Sequence, residues 1–148
     1  MKISLITPAK KRSKNGNRTT ALRWAHILRD LGHKVEISVK YEGQNADLMI
    51  ALHAWRSASS IKLFRDIYPD RPLVLALTGT DINEFIRTDP KPTLKSMETA
   101  DALVCLHDLA VDVIPKKFRQ KLQVIYQSAP PLTKKRQPAR SHFDICLI

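Results

Sequence analysis

The chain of 148 residues is poor in features that identify several protein classes. Four glycines and nine prolines are too few for a fibrous or glycine-linker architecture. Its longest apolar runs have five residues, as at 73–77, whereas a membrane-spanning helix needs about 20. The opening MKISLITPAKKR has too short an apolar run for a signal peptide. We expect a single globular domain that does not interact with a membrane and resides in the cytoplasm.

Cysteine is equally scarce, with Cys105 and Cys146 far apart inside apolar segments. They form no CxxC pair, which argues against a disulfide framework or a zinc site. The five histidines show no HExxH or other paired metal-ligand spacing. The sequence therefore predicts two buried thiols, no metal and no cofactor.

The shortage of glycine also bears on nucleotide binding. A dinucleotide site of the GxGxxG type needs three glycines between the first strand and helix, and only Gly16 stands there. The Walker pattern, GxxxxGK followed by Ser or Thr, does not occur. ATP hydrolysis of the P-loop kind is excluded on this ground.

Acidic residues are few and unevenly placed, since 25 Lys and Arg against 14 Asp and Glu leave a net charge of +11. Residues 1–40 and residues 116–140 each carry +8, and residues 41–115 carry −4. Such basic zones attract nucleic acid, acidic lipid or a phosphorylated small molecule. Aromatic residues make up 6% and do not interleave with the basic ones, so no specific nucleic-acid interface is expected. A basic nucleic-acid-binding module stays as the rival function.

Short apolar runs alternate with helical patterns along most of the chain. Strands are predicted at residues 2–7, 35–39, 48–52, 73–77, 102–106 and 122–126. One helix is predicted from residue 18 to the stop at Gly32. A second passes through Ile61, Phe64 and Tyr68 and ends at Pro69, and a third is predicted at 92–100. Strands joined through helices pair in parallel, so the expected fold class is α/β, a doubly wound, Rossmann-like parallel sheet.

The composition changes near the C-terminus. Residues 1–127 are predicted to form one domain, and residues 128–141, with three prolines and four basic residues, have the composition of an exposed linker. Residues 142–148 begin a strand that no helix in the chain follows. We expect this strand to open a second domain that the chain lacks, and its apolar residues within 143–148 to favour self-association.

Polar residues cluster between the first predicted strand and the first predicted helix. Gly16, Asn17, Arg18 and Thr19 stand at the start of the first helix, where free N–H groups and partial positive charge favour an anion. Gly16 allows close approach and tolerates a positive φ, and Asn17 is the predicted cap. The alternative is a solvated basic loop that leads into a capped helix.

A second polar group follows the third and fourth predicted strands. Open α/β sheets place ligands at the carboxyl ends of their strands. The residues found there are His53, Arg56, Thr78, Gly79, Thr80 and Asp81. They line a cleft in one interpretation; in the other, His53 is structural and 78–81 merely turns into a helix. No catalytic residue is identified.

The opening strand and glycine loop, followed by NRTTALRWAHILRDLGHKVEIS, resemble the N-terminal domain of retaining glycosyltransferases of the two-domain GT-B fold. RPLVLALTGTDI, ADALVCLHDLA and LQVIYQSAP are similar to later segments of that domain. Many relatives have a second glycine in the first loop and a His before Gly-Thr-Asp, where this chain has Thr78. The segments GNRTTALRW, ALHAWRSA, LALTGTDI and VIYQSAP more specifically resemble the selenosugar synthases of selenoneine biosynthesis.

That resemblance implies transfer of a sugar from a UDP-sugar, such as UDP-N-acetylglucosamine, to selenophosphate, with release of UDP and phosphate. The missing second domain holds most of the donor in this family, so the chain is expected to be an acceptor half that is inactive alone. Selenophosphate is an anionic nucleophile that needs cationic positioning groups such as Arg18 and Arg56 more than a general base. A GT-B glycosyltransferase with another acceptor is the alternative, and the sugar and the stereochemical outcome stay open.

Overall fold

Six strands form one parallel sheet in the computed structural model, which describes residues 1–13 and 15–129. The strands are β1 (Lys2–Ile6), β2 (Lys34–Ser38), β3 (Leu48–Leu52), β4 (Leu73–Ala76), β5 (Ala102–Cys105) and β6 (Leu122–Val124). Their spatial order is β2-β1-β3-β4-β5-β6, and every neighbouring pair is parallel. The predicted doubly wound, Rossmann-like α/β class is confirmed.

Helical segments connect consecutive strands, except between β2 and β3, and cover both faces of the sheet. They are α1 (Gly16–Asp30), α2 (Ala58–Ile67), α3 (Ile86–Thr88), α4 (Pro90–Thr99) and α5 (Ala110–Val113), with a π-helical segment (Asp81–Phe85) before α3 and a 3-10 segment (Lys116–Lys121) before β6. The three longer helices lie where the sequence predicts them. The short segments were not predicted, because a hydrophobic period needs more turns to be recognised.

Helix α1 begins and ends at polar and glycine residues. The side chain of Asn15 accepts a hydrogen bond from the Arg18 backbone N–H at 3.0 Å, so Asn15 is the cap. The predicted cap, Asn17, is wrong, because it already lies in the first helical turn, where the extended backbone of a cap is not available. At the other end Gly32 has φ +84°, and its N–H donates to the Arg29 carbonyl at 2.9 Å. The predicted stop at Gly32 is confirmed.

Each face of the sheet carries its own apolar core. On one face α1 packs Ala21 and Ala25 against strand residues such as Leu5. On the other, α2 and α4 contribute a larger cluster that includes Phe64 and Met97. A fully buried side chain of this size contributes about 1.5–3 kcal/mol, which makes both cores major sources of stability.

The buried thiol predicted at Cys105 is confirmed. Cys105 is fully buried in β5, and this burial raises the pKa of its thiol. Within the described residues, no helix combines the length and apolar character required to cross a bilayer. Four predictions lie outside the described residues: the linker from residue 130 onwards, the strand at 142–148, the association through that strand, and the state of Cys146.

The order in which successive strands are added to the sheet reverses at β1. The chain passes from β1 to β2 on one side and then crosses back to β3 on the other side. In open parallel sheets, the loops on either side of such a switch point leave a crevice at the carboxyl edge. The crevice here lies between the loop that follows β1 and the loop that follows β3.

Candidate functional site

A cavity of about 440 Å³ occupies this crevice at the carboxyl edge of the sheet. The loops after β1, β3 and β4 and the first turn of α1 form its walls. Seven residues predicted from the sequence line it: Gly16, Asn17, His53, Arg56, Thr78, Gly79 and Thr80. Pro8 and Asn15 complete the walls. The two polar groups, which are separated by more than thirty positions in the chain, are thus brought together.

The first turn of α1 presents an open surface to the cavity. A Cβ atom added at Gly16 would meet no heavy atom within 4 Å, so the missing side chain leaves space for a ligand. Gly16 does not adopt the positive φ that glycine tolerates, since the described residues with positive φ are His53, Gly32 and Gly43. Gly16 therefore contributes room, and its backbone does not need a left-handed conformation.

Arg18 and Thr19, also predicted for the site, do not line the cavity. The Nε atom of Arg18 is buried and has no hydrogen-bond partner among the described residues. Thr19 is exposed, and its hydroxyl donates to the Asn15 carbonyl at 3.4 Å. The positive side chain on the cavity wall is instead that of Arg56.

Asp81, the remaining predicted residue, lies behind the wall and pairs with His53. Both side chains are about 1% exposed, and Nδ1 of His53 is 2.7 Å from Oδ1 of Asp81. Burial alone raises the pKa of the Asp81 carboxyl, but hydrogen bonds from His53 and from the backbone N–H groups of Thr78 and Trp55 outweigh it. The pKa of Asp81 is held below its ordinary value, so the group is a carboxylate at neutral pH.

The Asp81 carboxylate joins the loops that follow β3 and β4. Its Oδ2 atom accepts from the backbone N–H groups of Ala54 at 2.9 Å and Thr78 at 3.0 Å, and from the Thr78 hydroxyl at 3.1 Å. Its Oδ1 atom accepts from the Trp55 backbone N–H at 3.1 Å. Hydrogen bonds of this number satisfy a buried charge and fix both loops.

The backbone of His53 is strained, with φ +74°, the one positive value among the described residues other than glycine. Such a conformation costs on the order of 1–3 kcal/mol and persists only where surrounding contacts enforce it. Here the His53 N–H donates to the Ala76 carbonyl, and its carbonyl accepts from the Ser57 N–H, both at 3.0 Å. The strained backbone and the Asp81 contact together fix the direction of the imidazole ring.

The hydrogen bonds of the ring determine its tautomer. Nε2 of His53 is 3.2 Å from the Nε atom of Arg56 and 3.0 Å from the Thr80 hydroxyl. Arginine can only donate, so Nε2 carries the lone pair. Nδ1 therefore carries the proton and donates to Asp81; the Arg56 backbone N–H, 3.4 Å from Nδ1, is too distant to compete. His53 is thus a neutral imidazole with an Nδ1 proton.

Aromatic residues beside the cavity were missed by the sequence interpretation. Trp55 stacks on Phe85 with ring centres 4.4 Å apart and an interplanar angle of 8°, and its indole N–H donates to Asp89 at 2.8 Å. The Arg56 guanidinium lies 5.9 Å from the Trp55 ring centre. The signal available in the sequence was the position of Trp55 between the candidates His53 and Arg56. The π-helical turn that brings Phe85 against Trp55 has no recognisable local sequence pattern.

The described part of the chain contains no cluster of three or more His, Cys, Asp or Glu side chains that could hold a metal ion. Comparison with known proteins adds no assignment: no family model matches the chain, and no curated protein matches it. The chemistry of the cavity therefore rests on the residues that surround it.

Proposed function

We propose that this chain is the acceptor-side domain of a glycosyltransferase that transfers a sugar from a UDP-sugar to selenophosphate. The observation that carries the proposal is the cavity at the switch point. The cationic Arg56 and the open first turn of α1 both line this cavity. The resemblance of the chain to selenosugar synthases supports the same acceptor.

The charges around the cavity favour an anion. Its described walls include Arg56 and no carboxylate, because Asp81 is shielded behind His53. The helix N-terminus adds a partial positive charge equivalent to roughly +0.5. The hydroxyls of Thr78 and Thr80 are further polar groups on the wall, although they donate to Asp81 and to Nε2 of His53. A tetrahedral oxyanion such as selenophosphate suits this combination of charge and polar groups.

In the proposed reaction the bond between the anomeric carbon and the UDP oxygen breaks, and a bond from that carbon to selenium forms. Water takes up the phosphoryl group, so UDP and phosphate leave. Because the nucleophile is already anionic, the domain contributes mainly position and charge. Engagement of Nε2 of His53 by Arg56 agrees with a site that does not need a free general base.

A second candidate is a GT-B glycosyltransferase with a hydroxyl acceptor. The His53–Asp81 pair favours it, because a buried carboxylate that orients an imidazole is a common arrangement for taking a proton from a hydroxyl. In that case Arg56 would have to move away from Nε2 when the acceptor binds.

The decisive experiment gives the purified chain selenophosphate and UDP-N-acetylglucosamine, separately and together. We expect calorimetry to detect selenophosphate binding, and we expect no UDP release until a C-terminal half from a GT-B enzyme is added. Robust UDP release by the chain alone would contradict the acceptor-half assignment. Absence of selenophosphate binding, with a hydroxyl acceptor consumed in the reconstituted enzyme, would favour the second candidate.

Three variants separate a formed anion site from diffuse positive charge. Arg56→Ala, which removes the positive side chain from the cavity wall, is expected to cost about 1.5–3 kcal/mol of anion affinity. Gly16→Val places a side chain in open space at the cavity and is expected to do similar damage without changing charge. Lys11→Ala, on the exposed loop, is the control and should cost a few tenths of a kcal/mol. Equal small effects would mean diffuse charge alone.

The nucleic-acid alternative is tested by titration against random-sequence DNA at 50 and 200 mM salt. With a net charge of +11 we expect weak binding that largely disappears at the higher salt concentration, which is the behaviour of nonspecific phosphate contacts. Tight, sequence-dependent binding at 200 mM salt would instead support a nucleic-acid-binding module.

A further inference from the structure

We infer that His53 is a positioning residue for Arg56: fixed by Asp81, it holds the Arg56 guanidinium at the cavity wall so that its two terminal nitrogens bind a tetrahedral oxyanion by a two-point contact. This inference deepens the proposed function and rests on it only for the identity of the natural anion.

Asp81 is the fixed end of a chain of contacts that runs through His53 to Arg56. Asp81 receives hydrogen bonds from two loops and from His53, and both side chains are almost completely buried. The left-handed backbone of His53 gives the ring one direction, with Nε2 toward Arg56 and Thr80. The strained backbone of His53 costs free energy of folding. Positioning of the exposed Arg56 side chain explains why that strain is present.

Arg56 is the long, exposed side chain that His53 restrains. Its side chain is exposed, and its Nε atom donates to Nε2 of His53 at 3.2 Å. Among the described residues neither terminal nitrogen of Arg56 has a hydrogen-bond acceptor, so the planar fork remains available on the cavity wall. Fixing a flexible side chain before the ligand arrives reduces the entropy lost on binding.

The geometry of the fork selects the ligand class. A guanidinium anchored through Nε offers two parallel donors, which match two oxygens of a carboxylate, phosphate or selenophosphate. A carboxylate has no further oxygen for the rest of the cavity, whereas a tetrahedral oxyanion keeps at least one for the Gly16 and Asn17 side of the wall. The inference therefore predicts a preference for inorganic phosphate over acetate.

The test measures inorganic phosphate binding to the whole chain by calorimetry at constant ionic strength, with acetate as the comparison anion. Arg56→Lys keeps the charge but lacks the fork and the Nε donor, and should weaken phosphate binding at least tenfold. Arg87→Lys makes the same exchange on an exposed arginine of α3 and should leave binding unchanged. Equal binding of phosphate by wild type and Arg56→Lys would overturn the inference.

A double-mutant cycle asks whether His53 acts through Arg56. His53→Asn retains an amide donor for Asp81 and tolerates the left-handed backbone, but offers no acceptor at the Nε2 position. We expect His53→Asn to lower phosphate affinity several-fold in the wild-type background and to cause no further loss in an Arg56→Ala background. The same loss in both backgrounds would show that His53 does not act through Arg56.

A spectroscopic measurement on the wild type decides the matter even if His53→Asn fails to fold. Nitrogen-15 NMR should show His53 as a neutral ring with its proton on Nδ1 and an unprotonated Nε2, and a proton on Nε2 would overturn the inference. Because none of these measurements uses a UDP-sugar, failure of selenophosphate transfer would remove the proposed function without affecting phosphate binding through Arg56.

Discussion

Asp81 shows at the residue scale how one buried charge organises the site. Its carboxylate accepts hydrogen bonds from the loops that follow β3 and β4, and its side chain is 1% exposed. Without these donors, burial would favour the neutral acid. The position of His53, and through it that of Arg56, thus depends on the ionised state of Asp81.

Acid should therefore weaken the fold through Asp81. The folded-state pKa of Asp81 lies below the ordinary value of 3.8, so its stabilisation is complete above that value and is lost as the pH falls through the folded-state pKa. Asp81→Asn leaves the donors of both loops and of His53 with a neutral acceptor in place of a carboxylate, and should lower the free energy of unfolding by about 1.5–3 kcal/mol at pH 7.

Urea denaturation at pH 7 and at pH 3 measures this effect. The difference between wild type and Asp81→Asn should be smaller at pH 3, which lies below the ordinary value of 3.8, because protonation of Asp81 in the unfolded chain already reduces the contribution of the charge. Asp66→Asn is the control, because Asp66 belongs to an exposed ion pair with Lys62 and should matter little at either pH. A difference that does not depend on pH would contradict the assigned role of the charge.

At the scale of elements, helix α1 links the first loop to the cavity. Its inner face packs Ala21 and Ala25 on the sheet, while its first turn lines the site. The residue that starts the helix therefore also sets the position of the cavity wall. The sequence interpretation gave that role to Asn17, and the structure assigns it to Asn15.

Alanine substitutions at the two asparagines should give different results. Asn15→Ala removes the acceptor for the Arg18 N–H and should lower the free energy of unfolding by about 1 kcal/mol. Asn17→Ala is the matched control: its backbone carbonyl, which accepts from the Thr7 hydroxyl at 3.2 Å, stays in place. It should be close to neutral, because alanine is the better helix former. A larger loss for Asn17→Ala in thermal unfolding would restore Asn17 as the cap.

At the scale of the whole molecule, the described sheet runs from Lys2 to Val124 and has helices on both faces. Both basic zones contribute to the net charge of +11, and the N-terminal zone contains the loop that leads into α1. The C-terminal residues from 130 onwards lie outside the described structure. Their contribution to stability can be measured separately.

Deletion of residues 141–148 tests the predicted domain boundary. The described strands β1 to β6 and the described core residues all lie before residue 125, so we expect the midpoint of thermal unfolding to change little. Sedimentation velocity should show less self-association, since the deletion removes the apolar residues of the FDICLI segment. A drop of many degrees in the midpoint would place these residues within the fold of this domain.

The local pattern of the sequence was sufficient for the fold class and for most elements. Apolar runs such as 48–52 and 73–77, and the stripe of α1, are decided by residues a few positions apart, so their periodicity is visible in one dimension. The polar residues of the site were also recognisable, because parallel strands bring their carboxyl ends to one edge. Seven of those residues do line one cavity.

Only the tertiary structure decided how those residues divide their work. The sequence by itself determined that His53, Arg56 and Asp81 follow strands near a common edge. That Asp81 stands behind His53 depends on contacts across 27 and 28 positions between loops on neighbouring strands. These contacts fix the ring whose far nitrogen then holds Arg56, three positions along the chain. Such contacts arise from the strand order and the backbone strain at His53, and neither leaves a periodic trace in the chain.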